Sequence, residues 1–125
     1  MIRNKIIGSF FLLLIFYVSS FNKITNTVSL SSGLHSKLPF LSQILCNLAI
    51  YGVIILEIIA PMMILYTIVY NKNKKQSYYL TIMLIIFTIL ATILYHSPLQ
   101  PNQYYYFMKN VSIIGGLFLL LSLLE

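Results

Sequence analysis

Acidic residues are almost missing from this sequence. Two of its 125 residues are Asp or Glu, against eight Lys and Arg, and charged residues make up 8% of the chain. A soluble domain carries about 25%, so a water-exposed fold of this size would lack the polar groups to cover its surface. Cysteine is also scarce. Cys46 stands alone, which excludes a disulfide scaffold and, with no C-x-x-C pair, thiol exchange by the chain itself. There is no glycine-rich phosphate loop and no Ser-His-Asp set. His35 and His96, without acids near them in sequence, are too few to indicate a metal site. Heme held by both would need a ligand from the polar stretch around His35, which disfavours it. The net charge of +6 does not mark a nucleic-acid module, because the basic residues are scattered in ones and threes.

What the chain has instead is hydrophobic length. Hydrophobic residues make up 59%, which excludes disorder, and they fall in four runs: Ile6 to Phe21, Ile44 to Tyr70, Tyr78 to Tyr95 and Phe107 to Leu124. A helix crossing the hydrocarbon needs about 20 apolar residues, and in lipid the backbone must satisfy its own hydrogen bonds. The expected fold is therefore all-α, a four-helix transmembrane bundle in a single domain over 1–125. Its helices should lie over about 6–25, 44–70, 78–95 and 107–124, making the chain an integral multi-pass membrane protein with the lipid bilayer as its first partner. The connections fall at Asn22–Gln43, Asn71–Ser77 and His96–Tyr106. Four spans put the N-terminus, the basic loop and the C-terminus on one side, with Arg3, Lys5, Lys72, Lys74 and Lys75. Lys23, Lys37 and Lys109 go to the other. That bias favours both termini in the cytoplasm, and clustered tyrosines at both interfaces fit an aromatic belt. A rival reading takes Arg3, Lys5, the apolar run and Val18-Ser19-Ser20 as a secretory signal, whose cleavage would leave three spans.

Depth along the helices singles out a polar constellation. Counting from the basic loop and the chain ends puts Glu57 roughly 9 Å, Lys109 roughly 6 Å and Lys23 roughly 3 Å inside the outer boundary, with His96 at the boundary itself. Ions in lipid cost several kcal/mol, so these groups should face inward and pair, Glu57 with Lys109, Lys23 or both, with Asn110 and His96 adding hydrogen bonds. Pro61 lacks an N–H and so frees the carbonyl of Glu57, at an expected kink. Blander readings stand beside these: a buried pair that fixes helix register, a Lys23 that snorkels and an interfacial His96. On the last helix Ser112 and Gly116 make a small-xxx-small pair that Gly115 widens, suited to close packing within the bundle or at the seam of a homo-oligomer. The segment Ile24 to Leu41 is too polar to span. It should cap the outer face or fold back over the bundle mouth. A glycosylation sequon at Asn110 lies too near the membrane to be credited.

Certain residues resemble a known family. Residues 6–24 read IIGSFFLLLIFYVSSFNKI, a helix ending in Asn-Lys-Ile. Glu57 sits within LEIIA, the third run closes in Tyr95-His96, and residues 107–122 read FMKNVSIIGGLFLLLS. Taken together they resemble the DoxX family, including DoxD-like oxidase and quinone-reductase subunits. Lys109-Asn110 followed by Gly115-Gly116-Leu117 is the most specific piece. The chain departs from the family pattern at Ser20, where glycine is common, and at Ala60-Pro61. The resemblance implies a four-helix membrane bundle whose bacterial members are partners of redox enzymes or of quinone-linked oxidation, and whose distant relatives are chaperones or cargo receptors.

Three functions follow as expectations. The first is a redox-associated accessory subunit that binds a quinone or a partner oxidoreductase at the outer mouth. No redox centre is encoded, so electrons would come from that partner or a bound cofactor. The second is a non-catalytic chaperone, scaffold or cargo-binding protein. The third is a small proton-coupled exporter, disfavoured because two lysines are available to neutralise Glu57.

Overall fold

The protein is described here by a computed structural model that covers residues 2–96, 99 and 102–125. Among these residues all regular structure is helical: α1 (Ile2–Thr25), α2 (Thr27–Lys37), α3 (Gln43–Tyr70), α4 (Lys74–Tyr95) and α5 (Tyr104–Leu123). Four of them, α1, α3, α4 and α5, are long and apolar enough to cross a membrane. They form a ring in which α1 packs on α3, α3 on α4, α4 on α5, and α5 closes loosely on α1. The first, third and last apolar runs form helices that begin earlier than the sequence indicates, at Ile2, Lys74 and Tyr104. Lys74, Lys75 and Gln76 are good helix formers, so the backbone stays helical past the hydrophobic signal. Part of the connection expected at His96–Tyr106 lies outside the described residues.

The connection expected at Asn22–Gln43 is mostly helix. Asn26 ends α1: its amide donates to the Asn22 carbonyl at 2.9 Å, the local competition with helix that asparagine offers. The chain then re-enters helix as α2, which packs against α3. Leu34 of α2 joins Cys46, Ile50 and Ile54 of α3 in a small apolar cluster, with Leu94 and Tyr95 against it. A polar clamp fixes the same contact. Ser31 donates to the Asn47 side chain, and Gln43 Nε2 donates to Ser31 Oγ at 2.6 Å. Of the two expectations for this stretch, folding back onto the bundle matches its packing. Ser42 caps α3 by accepting from the Leu45 N–H at 3.2 Å. At the other end α3 and α4 are joined by three residues, Asn71 to Asn73, and both asparagines adopt left-handed backbone, at φ 57° and 59°. Asparagine tolerates that region better than most residues, which is how the turn stays so short.

The ring's main core takes Leu13 and Phe16 from α1, Ala60 and Ile64 from α3, Leu84 and Ile85 from α4, and Leu117 and Leu120 from α5. Polar residues share this interior. Ser9, Ser20, Glu57, Thr67, Ser77, Thr81, Thr88, Thr92 and Asn110 are all buried. The α4 threonines satisfy themselves locally, Thr81, Thr88 and Thr92 each donating to the carbonyl four residues back. The outward faces are apolar: Phe11, Val18, Phe21, Ile55, Met62, Ile86, Ile93 and Leu119 are each at least half exposed.

Candidate functional site

Glu57 lies on the buried stripe of α3 that also holds Ile54, Ala60, Pro61 and Ile64. Spacings of three and four residues put that stripe on the face turned into the ring. The helix runs unbroken through Pro61. The Glu57 side chain is 1% exposed, and its Oε1 accepts from Lys23 Nζ at 3.0 Å. Lys23 is the last basic residue of α1 and also donates to Ser19 one turn back. It packs 5.8 Å from the centre of the Phe87 ring. Three supports from three helices hold this ammonium, so it does not simply snorkel outward. The second carboxylate oxygen, Oε2, is buried and has no hydrogen-bond partner among the described residues.

Glu57 lines, together with residues of all four long helices, a cavity of about 170 Å³. Its lining includes all five polar residues expected from depth: Lys23, Glu57, His96, Lys109 and Asn110. The geometry divides their roles. Asn110 is buried and donates to Thr92 Oγ1 at 2.9 Å, and Thr92 donates in turn to the Thr88 carbonyl at 2.6 Å. That chain locks the α4–α5 wall. His96 Nδ1 is 2.7 Å from Gln103 Oε1, a contact in which the ring donates, and its ring stacks on Tyr106 at 5.4 Å. The Lys109 ammonium lies 5.2 Å from the same Tyr106 ring.

Of the pairings expected for Glu57, the structure makes one. Among the described residues the ion pair of Glu57 is with Lys23, and Lys109 makes none. The ring order gives the reason: α1 packs directly on α3, whereas α5 packs on α4 and α1 and so stands diagonally opposite Glu57. Lys109 therefore lines the same cavity from the opposite helix, its ammonium over the Tyr106 ring. The small residues of α5 also separate. A Cβ added at Gly116 would lie 2.9 Å from Leu12 Cδ1, so this glycine faces the flexible end of Leu12 across the loosely closed α1–α5 seam. At Gly115 an added Cβ would meet nothing within 4 Å, and Ser112 is exposed. These two residues look outward and are not part of the α1–α5 seam.

Residues not singled out in the sequence complete the site. Ser19 and Phe87 hold Lys23, Thr92 anchors Asn110, and Gln103 and Tyr106 position His96. The (i, i+4) spacing of Ser19 and Lys23 on one helix face is a signal that could have found the first. The others depend on which helices are neighbours. His35 lies elsewhere, with Nδ1 2.8 Å from the Leu41 carbonyl, and no group of three or more His, Cys, Asp or Glu suited to a metal occurs among the described residues. Comparison with known proteins finds no family model, no curated protein and no solved structure that matches the chain.

Proposed function

We propose that the chain is a DoxX-like integral membrane protein with four spans and both termini in the cytoplasm, and that it acts as a quinone-linked, redox-associated accessory subunit. Four helices of spanning length, buried polar residues within the core and an apolar exterior support the membrane placement, because hydrocarbon is the solvent that tolerates such an exterior. The surplus of Lys and Arg at the end holding the termini and the Asn71–Asn73 turn supports the orientation.

The functional reading is carried by one observation: a cavity of about 170 Å³ lined by Lys23, Glu57, His96, Lys109 and Asn110, where, among the described residues, one Glu57 oxygen has no hydrogen-bond partner and Lys109 has no ion-pair partner. A cavity of about 150 Å³ admits a single six-membered ring. A quinone head group inserted there would accept from Lys109 at one carbonyl. Its reduced form would present a hydroxyl that donates to Glu57 Oε2. The electrons pass to or from a partner oxidoreductase, since the chain supplies no redox centre.

The test is direct. Purified in mild detergent, the protein should carry quinone in its lipid extract, and a short-chain benzoquinone should bind it. Glu57→Gln and Lys109→Met should each weaken that binding by about tenfold, the loss of one charge-assisted hydrogen bond of about 1.5 kcal/mol. A preparation that binds no quinone but brings down one stoichiometric protein would replace this reading with the chaperone or scaffold.

A further inference from the structure

The end of the ring that carries Arg3, Lys5, Lys72, Lys74 and Lys75 has two adjoining depressions far from the Glu57 cavity along α3. A groove of about 390 Å³ follows the seam between α1 and α5, lined among others by Lys5, Gly8, Leu12, Gly116, Leu120 and Leu123. A pocket of about 360 Å³ beside it is lined by Lys5, Thr67, Asn71, Lys74 and Leu123, among others. Lys5 and Leu123 line both, so the apolar groove and the basic pocket are neighbours. Neither Lys5 nor Lys74 has an ion-pair partner among the described residues. The two acids of the chain, Glu57 and Glu125, line neither depression. At Gly8 an added Cβ would meet nothing within 4 Å, so the groove is open at that point. The α1–α5 seam is also the most loosely closed of the ring.

We propose that this seam binds one anionic glycerophospholipid, with an acyl chain in the α1–α5 groove and the phosphate between Lys5 and Lys74. The charge at the mouth of the groove selects the occupant. Two uncommitted ammonium groups at the mouth of an apolar groove match an anionic head group followed directly by hydrocarbon, and basic pockets between spanning helices on the cytoplasmic side recognise such lipids. From Lys5 to Leu12 the groove rises roughly 10 Å at 1.5 Å per residue, room for the upper methylenes of one chain. A zwitterionic lipid carries its own cation to the same place and gains less. The proposal rests on the membrane-spanning part of the reading above and is independent of quinone.

The experiment is native mass spectrometry of the detergent-purified protein with added phosphatidylglycerol, phosphatidylcholine or inorganic phosphate. Phosphatidylglycerol should be retained preferentially as a single bound lipid. Lys5→Gln and Lys74→Gln, both at exposed positions, should each weaken it about fivefold, the share of one lysine near an anionic lipid. Gly8→Leu, which fills the groove, should remove it as well. Equal retention of phosphatidylcholine would overturn the proposal, and so would an equal response to inorganic phosphate. A lipid-free dimer that Gly8→Leu converts to monomer would assign the groove to a second copy instead. Should Gly8→Leu fail to fold, the two lysine variants decide the matter alone. If the protein stays in solution without detergent, it is the membrane reading that fails, whatever the lipid preference.

Discussion

Glu57 engages Lys23 through one oxygen, while the other is buried without a hydrogen-bond partner among the described residues. That asymmetry separates a structural lock from a site, because a carboxylate serving register alone would be expected to use both oxygens. Lys23 has further support from Ser19 and Phe87, whereas Lys109 leans on Tyr106. The two lysines should therefore couple to the acid very differently. In a double-mutant cycle on thermal stability, Lys23→Met and Glu57→Gln should show an interaction energy of about 1–2 kcal/mol, as groups in direct contact do. Lys109→Met and Glu57→Gln should add to within about 0.5 kcal/mol. Strong coupling of Lys109 with weak coupling of Lys23 would reverse the assignment of the pair and remove the free cation on which the proposed site depends.

At the level of the helices, α5 offers a test within two adjacent residues. Gly115 looks into open space, so Gly115→Ala should raise stability by up to about 1 kcal/mol through helix propensity alone. Gly116 faces Leu12, and Gly116→Leu should cost about 1–3 kcal/mol by overpacking the α1–α5 seam. A thermal melt that ranks the two the other way would mean the seam is elsewhere. A second test concerns α2. Ser31→Ala breaks the clamp to Asn47 and Gln43 and should speed hydrogen exchange of α2 amides by about tenfold, the effect of losing roughly 1.4 kcal/mol of local stability; unchanged exchange would leave the apolar contact around Leu34 as the whole attachment. These elements also show what a sequence can carry. The four long helices were legible because twenty apolar residues in a row have few other uses. Lys23, Glu57, Lys109, Asn110 and His96 were legible as one layer, since rise per residue converts sequence position into depth. Rotation about each helix axis and the order of helices around the ring are not encoded in depth, so the partner of Glu57 and the outward turn of Gly115 were not. The α2 helix was hidden because its few apolar residues spread over a polar stretch, and its burial is supplied by α3.

The molecule as a whole mixes polar and apolar side chains inside and is apolar outside. Hydroxyls of Ser77, Thr81, Thr88 and Thr92 are buried along α4, while Met83, Ile86, Leu90 and Ile93 of the same helix are exposed. In water this arrangement would leave an extensive apolar surface, which soluble monomers avoid. In a bilayer it is the stable one. The two ends of the ring differ as well: one gathers Arg3, Lys5, Lys72, Lys74 and Lys75, and the other carries α2 with Lys37, whose ammonium lies 5.1 Å from the centre of the Tyr95 ring. If cytoplasmic retention of basic residues sets the orientation, the Asn71–Asn73 turn faces the cytoplasm and α2 faces the opposite compartment. In a Cys46→Ala background, where the buried native thiol no longer contributes, Lys37→Cys should react with a membrane-impermeant maleimide added to intact cells. Lys72→Cys should react only after the membrane is opened. The opposite pattern would invert the protein, placing the Glu57 cavity near the cytoplasmic face and the Lys5–Lys74 pocket on the other leaflet, where the attraction of anionic cytoplasmic lipids would no longer apply. Labelling of both residues in intact cells would mean that α3 does not cross the bilayer.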